Sequence, residues 1–317
     1  MNHMKKYIVI LIALTGMVGC KKFLERPPEG KSPEEQILVS EDSVMRFLNG
    51  AYTLVGGEVL YGGRIQSIKD LLSDHNYGLL LTGDDGEIWR RKTAIFGDYK
   101  NNFYKEVYNV VYRANKVLTL LDFIGDAKKA RVEGEAKFLR GLMYFEMIRL
   151  FGQPYGSTPD NSQYGIPIRL KPDLSLLNRS SVKDGYTQIL ADLNDAVRLL
   201  PENNGEYPSK YAAMAALAKV YFQMNDFAKA YDFSNQVMTE AEKVNGAFSF
   251  DDDVTKRFSL DGSHEGIYYI KNRTGNYEPG KHLRDRYRSD NGANPVMKYT
   301  AETNNQFSRP NDKRQVW

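Results

Sequence analysis

The chain carries a single cysteine, Cys20, inside "GMVGCKKFLERPPEG" at 16–30. One cysteine forms no intramolecular disulfide, so its surroundings decide what else its sulfur does. Lys5 and Lys6 open the chain, residues 7–14 are almost unbroken apolar sequence, and Val18 and Gly19 lead into the cysteine. This is the charged start, short apolar run and small-residue exit of a secretory signal. The run is shorter than the roughly 20 residues that span a bilayer. Small residues ending in cysteine also form a lipobox, the pattern for cleavage at the cysteine and its acylation, with Met17 at the position where leucine is usual. Cys20 would become an N-terminus bearing acyl chains, each buried CH₂ contributing about 0.8 kcal/mol to anchoring. The plainer alternative is a soluble export signal with a chance cysteine. A catalytic thiol is set aside, because the edge of a removed leader offers nothing to lower its pKa.

The other chemistry-bearing residue types are sparse. Histidines stand at 3, 75, 264 and 282, none in a metal-ligand spacing, and neither a Gly-x-Ser-x-Gly elbow nor a P-loop occurs. Asp84, Asp85 and Glu87 supply oxygen ligands of the kind Ca²⁺ takes, but their spacing does not fit the twelve-residue EF-hand loop. A solvated turn is the preferred reading. Glu133 and Glu135 are expected on a helix surface rather than as a catalytic pair. "KHLRDRYR" at 281–288 is a basic cluster, read as a solvated face in preference to a phosphate site. No nucleophile–base set appears, so the reading is non-catalytic, with no metal and no cofactor.

Such residues depend on the elements that position them. Composition is ordinary for a globular protein, 42% hydrophobic and 26% charged, and a net charge of +3 is too weak to imply nucleic acid. Helical periodicity of apolar residues places helices at 42–55, 101–124, 127–151, 180–200, 208–224 and 226–243. The 127–151 segment turns apolar nearly all round from Phe138. Ser181 and Asp184 form a capping box before the 180–200 helix. Residues 56–98 read as a long loop with one helix near 65–72, "GIPIRL" as a short extended piece, and 267–270 as a short strand. Leu217, Ala218, Tyr221 and Ala230 fall in the register of a tetratricopeptide hairpin, with an ordinary αα-hairpin as the alternative, so the chain reads as mainly α with a short helical-repeat array.

Several stretches together resemble the SusD/RagB family of bacterial surface lipoproteins. They are "CKKFLERPPEG", "VYNVVYRANKVL" at 107–118, "GEAKFLRGLMYFEMIRLFG" at 134–152 with "GIPI" following, "YTQILADLNDAVRLLP" at 186–201, "AAMAALAKVYFQMNDFAKAYDFSNQVM" at 212–238 and "HEGIYYI" at 264–270. The resemblance implies a signal peptide at 1–19, a lipidated tether at 20–34, a tetratricopeptide-like domain at 35–248 with a loop insertion at 56–98, and the start of a ligand region at 249–317. It also implies a mainly α fold, a tetratricopeptide-like helical-hairpin superhelix with a loop-rich irregular region packed against it, and a lipid-anchored, outward-facing protein of the outer membrane. Such a protein binds oligosaccharide, or in some members peptide, and passes it to a SusC-like TonB-dependent transporter. Members usually run longer, and the rest of the ligand region is expected beyond residue 317. A sugar site needs exposed aromatics for flat C–H faces and polar side chains for hydroxyls. Trp89, flanked by Glu87, Arg90 and Arg91, is the first candidate, the alternative being a tryptophan that packs its loop onto the 101–124 helix. Asn276, Tyr277, Tyr287, Asn291 and Tyr299 are further candidates. An assembly scaffold with an open helical concavity is the alternative function.

Overall fold

The computed structural model describes residues 34–73, 75–78, 81–94, 97–244, 248–253, 256, 263–270, 281–287, 295–307 and 309. Cys20, Asn276, Tyr277 and Asn291 lie outside the described residues, as does the leader. The chain divides into two units, Met1–Val39 and Ser40–Trp317. Among the described residues the first holds the short helix α1 (Glu34–Ile37). All that follows belongs to the second.

Its body is a row of helices: α2 (Glu41–Val55), α5 (Asp98–Thr119), α6 (Asp126–Phe151), α7 (Val182–Leu199), α8 (Lys210–Gln223) and α9 (Phe227–Ala241). Each packs on the next in that order. The apolar stripe read from the sequence is the buried stripe. Val107, Val110, Val111, Ala114 and Val117 of α5 are all sealed from solvent, as are Ile189, Leu193 and Ala196 of α7. Ends are set locally. Ser40 and Ser43 cap α2 reciprocally through backbone N–H groups, at 3.3 and 3.1 Å. At α7 only half of the expected box forms: Asp184 N–H donates to Ser181 Oγ at 3.0 Å, while the Asp184 carboxylate accepts from the Ser181 hydroxyl instead of its main chain.

Helix α6 is buried over most of its surface from Val132 to Ile148, with Glu133 and Lys137 partly exposed. Its glycines permit close approach. A Cβ on Gly134 would lie 3.0 Å from the side chains of Leu199 and Leu200, and one on Gly141 3.1 Å from Asp192 and Leu193. In the last hairpin Leu217, Ala218 and Ala230 are buried, and Tyr221 stacks on Phe233 with ring centroids 5.6 Å apart. That is the tetratricopeptide register.

Beside this row lies a second set of elements: α3 (Arg64–Leu72), β1 (Asn76–Gly78), α4 (Gly83–Trp89), α10 (Lys281–Tyr287), β2 (Met297–Tyr299) and α11 (Ala301–Asn305). Strands β1 and β2 pair antiparallel, Asn76 opposite Tyr299 and Gly78 opposite Met297. Three expectations are corrected here. The 56–98 stretch holds a second helix, α4, which glycines at its start and centre conceal from periodicity. "GIPIRL" forms no strand; Tyr164 makes one isolated bridge to Ser181. Residues 263–270 form no strand either, because their apolar side chains have the helical core as partner: Tyr268 meets Phe138 edge-on at 5.4 Å.

Candidate functional site

Trp89 closes α4 rather than lying in a loop. Asp84 and Asp85 occupy the first turn of that helix, where carboxylates suit the positive dipole end. Past Trp89 the chain turns sharply. Arg91 adopts φ +57°, and its guanidinium donates to Trp89 O at 3.2 Å and Leu72 O at 3.1 Å. Glu87 accepts from the Ala94 N–H at 2.8 Å, closing the loop after the helix. Trp89 is left 38% exposed. Asp84, Asp85 and Glu87 thus have separate duties, and among the described residues no group of three or more His, Cys, Asp or Glu is arranged to hold a metal.

The basic 281–288 cluster is solvated on one side only over its described residues: Arg284 and Asp285 are exposed, while His282, Arg286 and Tyr287 bolt α10 to the loop segment. Arg286 pairs with Asp85 at 2.5 Å, both side chains largely buried. The Tyr287 hydroxyl donates to Asp70. Arg286 Nε donates to His282 Nε2 at 2.7 Å, and Ser67 Oγ lies 3.0 Å from the same nitrogen. Nε2 therefore accepts, the ring proton sits on Nδ1, and Nδ1 faces Glu58 Oε1 at 3.2 Å. Burial and then the Arg286 charge push the His282 pKa down, partly opposed by Glu58. Tyr299, on β2, is 56% exposed, its ring 6.5 Å from that of Phe307. Of the sequence candidates, then, Trp89 and Tyr299 face solvent on elements tied into one assembly, while Tyr287 spends its hydroxyl on holding α10.

A second feature lies on the final hairpin. An open groove of about 760 Å³ runs between α8 and α9, floored by Ala215, Ala218, Ala230 and Ser234 and walled by Phe222 and Tyr231. Phe222 and Tyr231 are 65% and 69% exposed.

Ionisable groups inside the row serve structure. Arg140 forks onto Asp192 at 2.8 and 2.6 Å and donates to Asn115 at 2.6 Å. Asn115 in turn donates to Arg169 O at 2.9 Å. Glu146 accepts from the Tyr61 hydroxyl at 2.8 Å, Lys69 at 3.2 Å and Arg149 at 2.6 Å. Burial pushes its carboxyl up, but the Lys69 and Arg149 charges outweigh this and hold it below the ordinary value. Glu135, expected on the surface, is sealed in. It accepts from Tyr52 at 2.9 Å and Asn204 at 3.1 Å, and burial raises its pKa against those bonds. The available signal was a charge inside an apolar-all-round helix, as in "FLRGLMYFEMI", where Arg140 and Glu146 must be buried with α6.

A row of tetratricopeptide-like hairpins with a loop-rich segment bolted to its side defines the class. The chain belongs to the SusD-like family: the family model described as starch-binding, associating with the outer membrane, matches residues 22–222. SusD-like protein P2 of Formosa agariphila is 29% identical over 239 residues, 72% of this chain and 45% of that protein. A solved SusD superfamily protein from Bacteroides thetaiotaomicron superposes with a TM-score of 0.76 at 22% identity, over 84% of this chain and 61% of that one. A surface glycan-binding protein A from Bacteroides uniformis superposes with a TM-score of 0.69 at 17% identity, over 87% and 63%. The chain spans less than half the length of the curated relatives it matches. Among the described residues no helix is long and apolar enough to cross a membrane.

Proposed function

We propose that this protein binds an oligosaccharide at the cell surface, unaltered, and delivers it to a SusC-like TonB-dependent transporter of the outer membrane. Acyl chains on Cys20 hold it there, residues 20–34 act as the tether and 35–248 as the scaffold. Residues 249–317 begin the ligand region. The observation that carries this reading is the tie between the Trp89 helix and the post-helical elements through Arg286–Asp85 and β1–β2, which leaves Trp89 and Tyr299 open to solvent. Exposed aromatic platforms suit the apolar faces of sugars, and the family description names starch. Affinity electrophoresis and calorimetry against soluble starch and a panel of other soluble glycans test it. Binding to at least one glycan that Trp89→Ala weakens about tenfold or more sustains it; binding to none sinks it.

The second reading, a peptide-binding or assembly scaffold, rests on the groove between α8 and α9. Its small-residue floor would admit a helix at close range, and its walls are aromatic. A variant with Ser234→Trp fills the groove from an exposed position, and loss of peptide binding with glycan binding intact would favour this reading.

A further inference from the structure

The segment 169–179 breaks the rule that large apolar side chains are covered. Leu170, Leu174, Leu176 and Leu177 are 50%, 90%, 101% and 44% exposed. Four uncovered leucines within eight residues make a patch of the kind that marks an interaction site. The segment is nonetheless fixed in shape. At its start the Tyr144 hydroxyl donates to Arg169 O at 2.6 Å, and Asn115 donates to Arg169 O and Lys171 O. The Arg169 guanidinium then clasps Asp173 and the Ser175 carbonyl, and the Asp173 carboxylate accepts from the Ser175 hydroxyl at 2.7 Å. At its end Arg179 donates to Gly165 O and Phe151 O, each at 2.7 Å. The leucines are presented by a preformed loop, so covering them costs little ordering entropy.

Charge selects the occupant. Residues 169–179 hold Arg169, Lys171 and Arg179 against Asp173 alone, an excess of two positive charges in eleven residues where all 317 carry +3. Arg169 and Asp173 neutralise each other. Arg179 is spent on uncharged carbonyls and keeps its charge, and Lys171 is exposed between Leu170 and Leu174. Whatever covers these leucines must also receive cations. An apolar protein pocket would strip water from Lys171 without compensation. The boundary of an anionic bilayer takes both: leucines enter the acyl region while Lys171 reaches up to lipid phosphates. We propose that the 169–179 loop is a membrane-contact loop, inserting Leu174 and Leu176 into the surface of an anionic bilayer as a second attachment besides the acyl anchor.

The test uses the chain from residue 21 onward, which carries neither the leader nor an acyl chain, with phosphatidylcholine vesicles containing roughly 30 mol% phosphatidylglycerol. The protein should co-sediment with these and far less with pure phosphatidylcholine. Leu174→Ser with Leu176→Ser should lower the partition coefficient about tenfold, and Lys171→Glu about fivefold. These side chains are exposed, so the circular dichroism and melting temperature of the variants should match the parent. Leu176→Trp should show a blue-shifted emission on vesicle addition. Absence of co-sedimentation, or co-sedimentation that the leucine variant leaves unchanged, overturns the proposal, whatever the outcome of the glycan assays.

Discussion

Trp89 is legible in the sequence as a tryptophan among charges, but its presentation is not. The turn that exposes it depends on Arg91 in a left-handed conformation and on a carbonyl 19 residues earlier, Leu72 O. Replacing the indole by alanine should weaken glycan affinity about tenfold or more while leaving the thermal midpoint unchanged, measured by calorimetry and a melting curve. The buried fork behaves in the opposite way. Asp192→Ala leaves Arg140 enclosed with no countercharge, and should cost about 3–5 kcal/mol in urea unfolding, with glycan affinity per folded molecule preserved. Arg140 stood in plain view in "KFLRGLMYFEMI", yet the sequence did not name its partners, because Asn115 and Asp192 come from two other helices and only packing brings them together.

At the scale of elements, helices with an apolar stripe were readable to within three residues at their starts, since their burial and their periodicity are the same fact. Those that the reading missed or misjudged owe their positions to contacts instead. Helix α4 is short and glycine-containing, and α10 reads as solvated until Asp85, Asp70 and Ser67 are seen to receive Arg286, Tyr287 and His282. The attachment of α10 should depend on pH. The His282 pKa is lowered in the folded protein by burial and by Arg286, with Arg64 adding to this and Glu58 and Asp85 opposing it. A depressed histidine pKa means that the unfolded chain binds the proton more readily. The stabilisation is therefore full above the unfolded value of about 6.5 and is lost as pH falls through the lower folded value. Amide protection factors in 281–287, taken relative to the intrinsic exchange rate at each pH, should fall on acidification below about pH 6.5, and Arg286→Ala should lower them at neutral pH as well.

For the whole molecule, the proposed attachment to the membrane has two parts, Cys20 and the leucine loop. Metabolic labelling with palmitate should mark the parent chain, and Cys20→Ser should abolish the label and shift the protein from the membrane fraction toward the soluble one. An unmarked parent would remove the anchor from the picture. The row itself is held in register by the glycines of α6. Gly141→Ala drives a methyl to 3.1 Å from Asp192 and Leu193, and should lower stability by about 1–3 kcal/mol, read from the urea midpoint. That same sheathing of α6 bears on how the protein is made. A chain that emerges from its N-terminus exposes residues 126–151 well before α7, at 182–199, is available to cover them. Until then α5 alone of its two main neighbours can cover α6, and the side that takes α7 stays open, so a pause in synthesis between 151 and 199 would leave an apolar face exposed to aggregation.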